Sequence, residues 1–154
     1  MKKHCAAIIL AAGKGSRMGM KEAKQFLEIG GLPVVAHSLT AFQKSPRIDE
    51  IILAVPKEQI AYVRREIVEK YGFDKVTAVT AGGAQRYESV WNALQILSER
   101  AEEGYVFIHD GARPFVNEDI INRAYECVCS CGACVAGMPS QDTVKIGGSS
   151  QIVS

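Results

Sequence analysis

Residues Ala6–Lys24 read AAIILAAGKGSRMGMKEAK. The apolar run Ala6-Ala7-Ile8-Ile9-Leu10-Ala11 breaks at Ala12-Gly13 into a loop of small residues that carries Lys14, Arg17, Lys21 and Lys24. A buried strand followed by such a loop delivers backbone N–H groups and cations to one place. Glycine permits positive φ and close approach of a ligand to the backbone, so the loop can wrap a polyphosphate with its amides while the cations offset its charge. The stretch reads as a phosphate cradle at the end of a first strand.

The rest of the chain repeats that strand-then-helix order. Asp49–Val55 (DEIILAV), Lys75–Thr80, Tyr105–Ile108 and Ala133–Met138 read as further strands. Between them, Val34–Lys44 places apolar residues at 35, 39 and 42 behind Pro33, which suits a first helical turn, and Gly30-Gly31 marks the turn before it. Gln59–Tyr71 puts Ile60, Val63, Ile67, Val68 and Tyr71 on one helical face, with Gly72 as its cap. Ser89–Glu102 carries Val90, Leu94 and Leu97 at helical spacing, and Ile120–Cys131 is a further helix. Asp142–Val153 reads as an extended hairpin about Gly147-Gly148-Ser149. The alternation predicts an α/β fold with a mainly parallel central sheet between helical layers, in a single domain. Ligands collect at the carboxyl ends of such a sheet, so the loops at 11–24, 81–89 and 109–114 are expected to share one pocket.

Composition narrows the classes. The 18 basic and 17 acidic residues nearly cancel, so no overall field favours nucleic acid or an anionic membrane, and a cationic site must be local. No run approaches the ~20 apolar residues of a membrane-spanning helix, and the apolar stretch after Met1-Lys2-Lys3 has no cleavage-like end. A cytoplasmic protein is expected. Of the five cysteines, Cys127, Cys129, Cys131 and Cys134 crowd into CVCSCGAC. Structural zinc sites usually draw two ligand pairs from separated segments, so these are read as small buried packing residues, and an odd count argues against disulfides.

Two familiar phosphate loops are excluded by spacing. A Walker loop, G-x-x-x-x-G-K-[ST], counted from Gly13 or Gly15, meets a methionine at its second glycine. A dinucleotide fingerprint begun at Gly13-x-Gly15 meets Met18 at the third position. The glycine-rich loop with Arg17, and Lys24 seven residues later, instead resembles a nucleotidyltransferase signature.

Five motifs make the resemblance closer: AAGKGSRM, Lys24-Gln25-Phe26-Leu27, GGAQRYESV at 82–90, HDGARPF at 109–115 and Gln141-Asp142-Thr143-Val144-Lys145. Their order resembles that in the 2-C-methyl-D-erythritol 4-phosphate cytidylyltransferases of the non-mevalonate isoprenoid pathway, over essentially all 154 residues. The ribitol-5-phosphate cytidylyltransferases share this frame but usually read AGG where this chain has Ala11-Ala12-Gly13. A UTP- or dTTP-dependent sugar-phosphate nucleotidyltransferase and a non-catalytic nucleotide-binding protein are the other readings.

The resemblance implies a three-layer α/β/α Rossmann-like nucleotidyltransferase fold with an extended dimerisation arm from about residue 139. It also implies a CTP- and magnesium-dependent reaction with a sugar-alcohol phosphate. By carry-over, Arg17 and Lys24 are the catalytic cations. Ala11, Ala12, Gly13, Gly15, Gly83, Arg86 and Ser89 hold the nucleotide, and Asp110 is the magnesium ligand beside the triphosphate. Asp110, Arg113 and Thr143 form the acceptor side, Thr143 reaching the partner's site in a homodimer. Ala84 stands where the family often has an acidic residue, so any side-chain contact there is lost. The chain ends inside the arm, so a C-terminally truncated form is expected, with the CTP half intact, weak activity or none, and an exposed sheet edge prone to association.

Overall fold

The computed structural model describes residues 3–13, 26–99 and 103–139. The first strand, β1 (His4–Leu10), lies inside the sheet, and its five central residues Cys5–Ile9 are buried. Continuous apolar character is what a strand covered on both faces requires. Around it stand β4 (Glu50–Val55), β5 (Val76–Ala81) and β6 (Gly104–Asp110), in the order β5-β4-β1-β6 with every pairing parallel. Ile8 sits opposite Ile52 on one side and Ile108 on the other.

Side chains alternate between two helical layers. Cys5, Ala7 and Ile9 face α1 (Val34–Lys44), the helical stretch after β4 and α4 (Glu118–Cys131), in a core that includes Leu39, Phe42, Val63, Ile67 and Ile121. Ala6 and Ile8 face α3 (Arg86–Ser98) through Ala93 and Leu97. Each fully buried Ile or Leu here contributes roughly 1.5–3 kcal/mol of transfer free energy.

Helix α1 has the expected span, and Val35, Leu39 and Phe42 are buried as its periodicity predicts. Its entrance is a small antiparallel hairpin, β2 (Glu28–Ile29) and β3 (Leu32–Pro33), turned by Gly30 and Gly31 at φ 60° and 80°. Two successive positive φ values match a tight hairpin turn, in which glycine removes the steric cost. Pro33 stands one residue before the helix in an extended conformation (ψ 141°), closing β3.

The helix expected over 59–71 is three pieces. A 3₁₀ turn at Lys57–Gln59 and α2 (Ile60–Val63) run into a π-helical turn at Arg64–Glu69, where the Lys70 N–H bonds back to the Arg65 carbonyl. Val63 and Ile67 are buried, and Gly72 ends the run at φ 65°.

Two expectations fail. Residues 133–139 form no strand and are exposed. Gly132, left-handed at φ 78°, stops α4, and the following ACVAGM has Val135 as its only β-branched residue and, among the described residues, no neighbouring strand to complete a ladder. The clustered cysteines are not packing residues: Cys127 is half-buried and Cys129, Cys131 and Cys134 are exposed, because only one face of α4 meets the core. A hydrogen bond with Cys134 pushes the Cys127 thiol up to about 11. Among the described residues no group of three or more His, Cys, Asp or Glu side chains is placed to hold a metal ion. No described helix is long and apolar enough to cross a membrane. The expected arm, with Thr143, lies outside the described residues.

Candidate active site at the carboxyl ends of the strands

The sheet ladder continues one hydrogen bond past several strand ends, which fixes where the loops begin. The Ala11 N–H donates to the Ala54 carbonyl (2.7 Å), Gly82 to Val55 (2.8 Å) and Gly111 to Leu10 (2.8 Å). The loops after β1, β5 and β6 therefore leave the same end of the sheet, those after β1 and β6 from neighbouring strands and that after β5 from across β4. They also touch. A side chain at Gly82 would run into Cβ of Ala12 and stand 3.0 Å from Oγ of Ser89, and one at Gly111 would lie 3.3 Å from Cβ of Ala11. The small side chains of Ala11 and Ala12 are what let the three loops meet.

Helix α3 begins three residues earlier than its apolar periodicity predicts. Gln85 is extended (φ −119°, ψ 160°) and forms a capping box with Glu88, whose carboxylate accepts the Gln85 N–H at 3.0 Å. This reciprocal cap satisfies two N–H groups of the first turn. The signal is in the sequence as Gln85-x-x-Glu88, but with glutamine where serine or threonine usually stands. The early start brings Arg86 and Ser89 into the first turn and shifts the buried stripe to Ser89, Ala93 and Leu97. Ser89 is 4% exposed. Its hydroxyl accepts the Gly83 N–H (3.0 Å) and donates to the Gln85 carbonyl (3.3 Å), so it sets the loop that precedes it.

Arg86 reaches across to β6. Its Nε and Nη2 both donate to Oδ1 of Asp110, at 3.1 and 3.0 Å, while Nε of Arg113 stands 3.1 Å from Oδ2. Asp110 is thus held between two guanidinium groups, one from the first turn of α3 and one from the loop after β6. The arginine side chains are 61% and 76% exposed and the carboxylate 31%, so the cluster faces solvent. Two cations around one carboxylate leave a net positive site suited to phosphate, and the planar arginine forks match phosphate oxygens. Asp110 is a single carboxylate. That donor set fits magnesium shared with phosphate oxygens and water, and entry of the ion requires an arginine to give up an oxygen.

Beneath this cluster lies a polar pair that the sequence reading missed. Ser38, fully buried on α1, donates from Oγ to the Arg113 carbonyl (3.1 Å). Nε2 of His109 lies 3.1 Å from the same carbonyl and 3.3 Å from Ser38 Oγ. A carbonyl only accepts, so Nε2 carries the proton. Burial pushes the imidazole below its ordinary range, against the opposing pull of the Arg113 carbonyl and Asp110. A polar residue on the apolar 35/39/42 face was the available signal for Ser38.

Of the residues expected at the site, Ala11, Ala12, Gly13, Gly83, Arg86, Ser89, Asp110 and Arg113 lie on these three loops and the α3 start. Gly15, Arg17, Lys24 and Thr143 fall outside the described residues. A cavity of about 410 Å³ lies between β6 and α4, lined by residues such as Phe107, His109, Val116, Ile120 and Val128.

Known proteins agree with this fold. The family model described as 2-C-methyl-D-erythritol 4-phosphate cytidylyltransferase matches residues 5–154. The enzyme of that name from Lachnospira eligens is 49% identical over 140 residues, covering 91% of this chain and 60% of the relative. The one from Clostridium kluyveri is 45% identical, covering 92% and 60%. The crystal structure of 4-diphosphocytidyl-2C-methyl-D-erythritol synthase from Anaerococcus prevotii superimposes with a TM-score of 0.77 at 30% identity, covering 96% of this chain and 60% of that one. The chain thus spans about 60% of the length of these relatives. Sequence, sheet topology and the three-loop site lead to one conclusion: this chain belongs to the 2-C-methyl-D-erythritol 4-phosphate cytidylyltransferase family.

Proposed function

We propose that the chain carries the nucleotide site of a cytidylyltransferase that moves the cytidylyl group of CTP to 2-C-methyl-D-erythritol 4-phosphate. The products are 4-diphosphocytidyl-2-C-methyl-D-erythritol and pyrophosphate. The observation that carries the reading is the meeting of three loops at the carboxyl ends of parallel strands, with Asp110 between Arg86 and Arg113. An acceptor phosphate oxygen attacks the α-phosphorus in line. The new P–O bond forms as the bond to the bridging oxygen breaks, and the electron pair leaves with pyrophosphate. The chemistry asks for charge and alignment rather than a covalent nucleophile.

In this reading, Ala11–Gly13, Gly15 and Gly83 admit cytosine and ribose to the backbone, with Ser89 fixing Gly83. Arg17 and Lys24 stabilise the charge that develops on the transferred and leaving groups. Arg86 and Arg113 turn from Asp110 toward the phosphates, Arg113 on the acceptor side. Asp110, once freed, would hold magnesium, which would supply charge neutralisation. The protein works as a cytoplasmic homodimer joined through the arm that carries Thr143.

Pyrophosphate release from CTP and magnesium, with methylerythritol phosphate and ribitol phosphate compared as acceptors, tests the proposal. Methylerythritol phosphate is the expected preference, with Arg17→Ala and Lys24→Ala each lowering the rate about 10²–10³-fold. Preference for ribitol phosphate, for UTP over CTP, or turnover indifferent to both substitutions would overturn it.

A further inference from the structure

We infer that Ser38 and His109 are positioning residues that pin the carbonyl of Arg113 and so aim its guanidinium into the site; calling its target an acceptor phosphate rests on the function proposed above. The geometry is specific. The turn from Asp110 to Arg113 is closed by the Arg113 N–H on the Asp110 carbonyl at 3.0 Å, and Gly111 ties its start to β1. The exit of the turn is held by two donors on one carbonyl, Ser38 Oγ and His109 Nε2, both at 3.1 Å. The imidazole is itself fixed by packing on Phe42, with ring centroids 5.2 Å apart, and Phe42 lies one helical turn beyond Ser38 on α1. A helix from the opposite end of the chain's order thereby sets the backbone from which Arg113 extends to Oδ2 of Asp110.

The neighbouring Thr40 shows why this arrangement is not routine helix chemistry. Its hydroxyl folds back onto the Ala36 carbonyl of its own helix at 2.7 Å, the usual outlet for a mid-helix hydroxyl. Ser38, at 0% exposure, instead bonds a residue 75 positions away. A buried hydroxyl costs free energy unless it is bonded, and alanine would fill the same helical position without that need. The hydroxyl therefore answers to the loop rather than to the helix.

The test reads Arg113 directly and needs neither substrate nor turnover. With arginine labelled by ¹⁵N, the Nε–H signals of Arg113 and Arg86, assigned through Arg113→Lys and Arg86→Lys, report their ion pairs with Asp110. In Ser38→Ala, and in His109→Phe, which keeps a ring against Phe42 but removes the donor, the Arg113 proton should exchange with water about tenfold faster while that of Arg86 is unchanged. Ser38→Thr, which restores the hydroxyl, should restore the signal. An Arg113 signal unmoved in both variants, or Arg86 and Arg113 loosened equally, overturns the inference and leaves Ser38 a packing residue. Because no acceptor is involved, a held Arg113 in a protein that rejects methylerythritol phosphate would sink the proposed function alone.

Discussion

Asp110 is the residue on which the site turns, and its environment separates its value for folding from its value for function. Both oxygens are engaged, Oδ1 by Arg86 and Oδ2 by Arg113, yet both arginines are more than half exposed. Exposed ion pairs are typically worth about 0–1 kcal/mol each, because water screens them and ordering long side chains costs entropy. A phosphate bearing more charge than a carboxylate can therefore draw the arginines away at little cost. Asp110→Asn should shift the unfolding midpoint only slightly, consistent with at most about 1 kcal/mol per pair. On the proposed function it should also abolish magnesium-dependent turnover. Denaturant unfolding alongside pyrophosphate release checks both halves, and a large stability loss would make Asp110 a structural residue instead.

At the level of elements, what could be read from the sequence followed from how each element is stabilised. β1 and β4 were visible because burial on both faces demands an unbroken apolar run, and α1 because 35, 39 and 42 form a stripe. The π turn was not visible, since Val63, Ile67 and Tyr71 fit a regular helix equally well. The false strand at 133–138 came from local apolarity, which cannot say whether a neighbouring strand exists. At the site, Asp110, Arg113 and Arg86 were legible as charged residues in loops at strand ends, whereas Ser38 acts through a contact between distant parts of the chain. The start of α3 was misplaced because its cap is a glutamine. That cap is a test of the assignment: Gln85→Ala removes one side of the capping box and should cost about 0.5–2 kcal/mol. The loss should be recovered by Gln85→Ser, which is the commoner cap. Urea midpoints for the two variants check this, and equal midpoints for Gln85→Ala and the parent chain would contradict the capping role.

Among the described residues the sheet is unevenly covered: one face carries α1, α4 and the helical stretch after β4, whereas the other carries α3 alone. Val106 and Ile108, which sit opposite Ala6 and Ile8 on the α3 side, are 42% and 45% exposed, and Trp91 on α3 is 62% exposed. The sheet also ends in β5 on one side and β6 on the other, and neither has a second strand neighbour among the described residues. Edges that lack a strand neighbour and are bordered by apolar side chains template further strand pairing, and the two found among the described residues permit growth beyond a closed pair. This chain should therefore show a mass that rises past the dimer with concentration in sedimentation equilibrium. Ile108→Lys, placed at an exposed position on the β6 edge, should remove the growth past the dimer while leaving far-ultraviolet circular dichroism unchanged. Growth that persists in Ile108→Lys with the fold intact would place the association elsewhere on the surface.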